Sequence, residues 1–239
     1  MTTYDLYLES GPKRRRTMVH VPALLGCIAI GETTDAALAA TPDAIRSYLR
    51  FLASHGETVD PDAPFETVVA AHVTEGQWLG NGSPSVTFAP DFEPVDEAGI
   101  EQYLRWFHWL TEALATWAER QDAAALAASP AERGRQNGAV LLHVLGPVGG
   151  YLSAALGGAK GFSAAAGAAE RGGLALPDAL RRVELLAAEA VRATTPEQRA
   201  AVRQRPNDLR TLRKALRRML EHHWEHLLEL SRRPGGPSL

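Results

Sequence analysis

Leu216-Arg217-Arg218-Met219-Leu220-Glu221-His222-His223-Trp224-Glu225-His226-Leu227 is the stretch on which the reading of this chain turns. Leu209, Leu212, Leu216, Met219, Leu227 and Leu230 recur at helical spacing. They predict the inner face of a helix that Asn207 caps and that reaches about Ser231. His222 and His226 stand one turn apart on that face. Two imidazoles so placed can bind one metal ion, each through one neutral nitrogen. His223 lies about 100° round the helix and has no partner four residues on.

Three more long helices are predicted upstream. Asp96 caps one that continues to about Arg120, with Ile100, Leu104, Phe107, Leu114 and Trp117 inside. The second covers residues 131–157, turns Val140, Val144, Val148 and Leu152 inward, and is expected to kink at Pro147. Pro177 suits the first turn of a third, which ends near Ala193. A short helical piece follows Thr195-Pro196-Glu197, and the Ala/Gly-rich tract 164–173 reads as a loose loop. Four long amphipathic helices predict an up-down four-helix bundle over residues 93–239.

His143, between Val140 and Val144, points into that bundle. With His222 and His226 it forms a candidate three-histidine set for a divalent ion, with coordination positions left open as in catalytic sites. The plainer reading makes His143 a core histidine and the other two an exposed patch. Burying three unpartnered imidazoles would cost several kcal/mol, and a shared metal removes that cost. Glu225, about 60° to one side of His222, is the candidate general base or orienting carboxylate; otherwise it pairs with Arg218 or Arg232. His222-His223-Trp224-Glu225-His226 also matches H-x-x-E-H, but Glu229 is the one acid after it, so the match reads as fortuitous.

Before residue 93 the texture differs. Residues 1–95 carry 6 basic and 12 acidic side chains, and residues 96–239 carry 19 and 16. Strands are predicted at 4–8, 16–21, 27–30, 65–74 and 85–88, the last two flanking the turn Gly80-Asn81-Gly82-Ser83-Pro84. Thr33 or Thr34 caps a helix that runs to about Ser54 and that Gly56 ends. The fold class is therefore α+β: a small α/β domain over 1–92, a proline-bearing linker at 89–96, then the bundle. His20 reads as a half-exposed sheet residue, Cys27 as a small buried hydrophobe, and Arg14-Arg15-Arg16 as a solvated edge strand.

The 239 residues are 45% hydrophobic and 22% charged, with a net charge of −3, so no global basic field points to nucleic acid. A single cysteine excludes a disulfide framework and a cysteine-cluster metal site. No N-terminal apolar segment has the length of a signal peptide or membrane span, which leads to the expectation of a soluble cytoplasmic protein.

Two resemblances sharpen this. The Leu-basic-apolar-Glu-His-x-x-Glu-His-Leu pattern of residues 216–227, with Val140-Leu141-Leu142-His143-Val144-Leu145 upstream, resembles the DinB-like metal-binding four-helix bundles. That resemblance implies a divalent metal, zinc or nickel, on His143, His222 and His226, often in homodimers. It also implies low-molecular-weight thiol transfer, isomerisation or hydrolysis; Arg135-Gln136-Asn137-Gly138 departs from the usual Trp-Ser start of the second helix. Residues 19–38, from Val19-His20-Val21-Pro22 through Gly26-Cys27 to Gly31-Glu32-Thr33-Thr34, resemble the N-terminal domain of HicB-like antitoxins and imply a β-β-β-α-β domain. Two functions follow as expectations. One is a metal-dependent transferase or hydrolase acting on a small molecule or thiol. The other is a non-catalytic or antitoxin-like interaction protein whose metal is vestigial or structural.

Overall fold

Alternating apolar residues in the N-terminal third form strands β1 (Thr2–Ser10), β2 (Thr17–His20) and β3 (Ile28–Gly31), followed by helix α1 (Thr34–Ser54) and strand β4 (Phe65–Val73). The computed structural model describes residues 1–130, 134–205 and 208–239. The four strands make one sheet in the order β3-β2-β1-β4. β2 is antiparallel to β1 and β3, whereas β4 is parallel to β1, the crossover running through α1. The Thr33 hydroxyl caps α1 by accepting from the Ala36 amide at 3.1 Å. Ala37, Ile45, Tyr48, Leu49 and Leu52 form the helix's buried face.

Residues 85–88 form no strand. Val86 and Phe88 instead bury with Leu79 in a small separate cluster against Tyr7 and Val73. The arginine run precedes β2, which is an interior strand, so it forms no sheet edge. The proline-bearing segment 89–96 is no free linker: Ala89–Phe92 makes a 3-10 turn with Asp91 buried.

The helical part runs α2 (Glu97–Glu119), α3 (Ala123–Ala127), α4 (Asn137–Leu156), α5 (Phe162–Glu170), α6 (Leu176–Arg192) and α7 (Pro196–Ala200). A hairpin of β5 (Arg203–Arg205) and β6 (Asp208–Arg210) then leads into α8 (Leu212–Ser231). The four long helices close a ring in which α2 and α4 each pack against both α6 and α8. Asp96 caps α2 as expected, accepting from the Gly99 amide at 2.8 Å. The expected Asn207 cap lies outside the described residues; Thr211 caps α8, accepting from the Lys214 amide at 3.1 Å. The second long helix starts at Asn137, and of the span predicted before it residues 131–133 lie outside the described residues.

The Ala/Gly tract is not a loop. Alanine is the strongest helix former, and Phe162, Ala165 and Ala169, spaced at three and four residues, give α5 a buried face. One hydrophobic core runs through sheet and helices together. At its centre Trp224 of α8 lies 5.0 Å from the Tyr48 ring and 5.2 Å from the Phe51 ring, both on α1. Among the described residues α4 is the one helix long and apolar enough to cross a membrane. Nine of its residues are buried by packing within this fold, which accounts for that apolarity.

Candidate metal centre

α8 is buried nearly all round, including Lys214, Arg217, Arg218, Glu221 and three histidines. A helix so placed must satisfy its polar groups from neighbouring elements. Two clusters do so.

The first joins α8 to the sheet. Asp91 grips Arg217 with both oxygens, at 2.8 Å to Nε and 2.9 Å to Nη2. Arg217 Nη1 and Arg218 Nη1 donate to Glu221 at 3.1 Å and 2.6 Å, and His20 Nδ1 donates to the same carboxylate at 2.7 Å. His20 is therefore fully buried rather than half-exposed, because α8 covers its face of the sheet. Burial alone would raise the Glu221 carboxyl, but Arg217, His20 and Arg218 together hold it well below the ordinary carboxylate range. The i, i+3 and i, i+4 spacing of Arg218 and Arg217 to Glu221 is legible in the sequence; Asp91 and His20 carry no such signal.

The second cluster is the histidine set. His143 on α4 and His222 and His226 on α8 converge, one ligand nitrogen of each lying within 4.8 Å of the others. The Nε2 atoms of His143 and His222 are 3.3 Å apart. A tetrahedral ion with bonds of about 2.0–2.1 Å sets two ligand nitrogens about 3.3–3.4 Å apart, so this pair already has the required separation. The rings of His143 and His226 lie 4.9 Å apart, and those of His222 and His226 4.6 Å. His222 Nδ1 is buried and, among the described residues, has no hydrogen-bond partner.

The protonation state favours metal ligation. Burial first, then the neighbouring His226 and Arg135, push His143 down to about 4. Burial likewise holds His222 far below the usual histidine range, helped by His226 and His223. Both imidazoles are neutral at neutral pH, with a lone pair available. His226 donates its Nδ1 proton to Glu229 Oε2 at 2.8 Å, which leaves Nε2 as its free donor atom. Arg233 pairs with the other Glu229 oxygen and donates to Asn137 Oδ1 at 2.8 Å. Glu229 and Arg233 thus tie the end of α8, which carries His226, to the start of α4, which carries His143. Sequence reasoning missed both, although Glu229 stands three residues after His226 and Arg233 four after Glu229.

His223 turns away, donating from Nδ1 to the Met219 carbonyl at 3.0 Å with its ring 4.5 Å from Phe107. Glu225 does not join the three histidines. It pairs with Arg16 at 3.7 Å and lines a groove between α1, β3 and α8, while burial raises its carboxyl against the lowering effect of the nearby His226 and Arg218. His143 is half-buried while His222 and His226 are buried, so the cluster opens to solvent along α4. There Gly146 and Gly150 leave open space where other residues would carry side chains. Pro147 offers no N–H to the His143 carbonyl four residues earlier, so the turn carrying the ligand is one bond short.

Comparison with protein-family models, with curated proteins and with solved structures gives no match.

Proposed function

We propose that this chain holds a divalent metal ion, zinc or nickel, on His143, His222 and His226 and uses it as a metal-dependent transferase or hydrolase. The observation that carries the reading is the 3.3 Å approach of two neutral Nε2 atoms from different helices, with His226 beside them. The resemblance of residues 216–227 to DinB-like bundles supports the same reading, and a homodimer goes with it. The resemblance of residues 19–38 to HicB-like domains, together with the β-β-β-α-β order, makes the N-terminal part the candidate for binding a partner.

A bound ion would supply Lewis-acid activation of a water or thiol at neutral pH. The residues supply the rest. Burial keeps the imidazoles neutral, and the Glu229 carboxylate fixes the tautomer of His226. Gly146 and Gly150 leave the approach beside His143 open to a small molecule. The deciding experiment is metal analysis of purified protein after dialysis. One divalent ion per chain, lost on His226→Ala, is expected; equal metal content in both proteins overturns the reading.

A further inference from the structure

A cavity of about 750 Å3 lies in the groove lined by Glu225, apart from the histidine cluster. Its lining includes four consecutive residues of one strand, Ile28, Ala29, Ile30 and Gly31. Side chains along a strand alternate between the two faces of the sheet. A cavity touching all four therefore runs along the edge of β3, not over a face. Among the described residues β3 is an end strand, bonded to β2 alone, so its outer edge borders this groove without a strand partner. Ala40, Ala44 and Ser47 on one stripe of α1 form one wall, and Leu228 with its neighbours on α8 forms the other. The small residues of α1 keep the groove wide enough for another backbone.

Charge selects the occupant. Glu32, Asp43, Glu225 and Glu229 line the groove against Arg16 and Arg232, a net excess of acid. Glu225 faces Arg16, and Glu229 is held by His226 and Arg233. Glu32 and Asp43, both exposed, flank the strand's end and the α1 wall.

We propose that this groove binds an extended basic peptide segment of a partner protein, which adds to the β3 edge as a fifth strand. Main-chain hydrogen bonds to Ile28–Gly31 supply affinity, and the acidic rim selects lysine or arginine on the incoming strand. Glu229 touches both the groove and His226, but peptide binding at β3 needs no bound metal, so the two readings are tested separately.

The test uses the full chain and two fluorescein-labelled hexapeptides, one alternating lysine with valine, the other glutamate with valine. Fluorescence anisotropy is expected to show binding of the basic peptide and none of the acidic one. Glu32→Lys with Asp43→Lys is expected to weaken it about tenfold, as two rim charges of up to about 1 kcal/mol each would. Ala44→Trp, which fills the groove, is expected to abolish binding. Amide exchange at Ile28–Gly31 should slow when peptide binds, and a chelator should leave peptide binding unchanged. Equal binding of both peptides, or unchanged exchange at β3, overturns the proposal. So does a dimer whose β3 amides are already protected without peptide, because a second copy would then be the occupant.

Discussion

His20 on β2 donates from Nδ1 to Glu221 on α8 at 2.7 Å, across 201 positions of sequence, with both side chains 1% exposed. This bond sits between the sheet and the helix that carries two of the three clustered histidines. Glu221 also accepts from Arg217 and Arg218, so its removal leaves the buried Arg218 without its ion-pair partner and Arg217 with Asp91 alone. Glu221→Ala is expected to cost about 3–5 kcal/mol. His20→Leu should cost about 1–3 kcal/mol, because Glu221 keeps its two arginines. Urea unfolding of the two variants beside wild type checks both the size and the order.

The histidine cluster lies beside an apolar core that runs through sheet and helices, so the fold is expected to persist when the proposed ion is removed. Chelation is expected to leave the helical circular dichroism signal intact while lowering Tm. The loss should follow mass action, about 2.7 kcal/mol when free metal stands at 100 times its Kd. Collapse of the helical signal on chelation would instead mark a structural metal.

Glu229 holds His226 in one tautomer. Glu229→Ala is expected to weaken metal binding about 10–100-fold, and Glu229→Gln less, because the amide oxygen still accepts from Nδ1. Competition with a chromogenic chelator measures both. Equal affinity in all three proteins would show that Glu229 does not orient the ligand.

Lys214 is buried and donates to Asp208 at 2.6 Å and to Thr87 at 2.7 Å. Burial outweighs these partners and pushes its ammonium down from 10.5 to about 8. A base depressed in the folded state binds fewer protons there than in the unfolded chain. Stability from this group therefore rises as pH climbs from about 8 towards 10.5 and is level below that window. The unfolding free energy of wild type relative to Lys214→Met should rise over the same range in urea titrations. A flat difference would contradict the burial argument.

Cys27 is buried and its thiol is pushed far above the ordinary range, by burial first and then by Glu221. It should resist a thiol-specific chromogenic reagent at pH 8 in native protein and react stoichiometrically in denaturant. Rapid labelling of the native chain would contradict this placement.

Local signals carried much of the fold. The caps at Thr33 and Asp96, the span of α1 and the inward face of α8 follow from side-chain chemistry within a few residues, and so were legible. The pairing of His222 with His226 was legible for the same reason, since i, i+4 geometry belongs to the helix itself. In tract 164–173, residues up to Glu170 are helical because alanine's helical preference and the three- and four-residue spacing outweigh the glycine content, and residues 171–173 turn out of the helix. His143 was placed on an inward face by its neighbours Val140 and Val144, but no periodicity says which helices will face each other.

That arrangement was decided by packing. Tertiary structure alone brought His143 to 3.3 Å from His222, joined Asp91 and His20 to the charges of α8, and set Glu225 in the groove beside β3 with Arg16 as its ion-pair partner. The physical reason is one of range. Caps, turns and helical faces are fixed by interactions over one or two turns of chain. Burial of charge is fixed by which distant side chain arrives to neutralise it, and that depends on how the whole core closes.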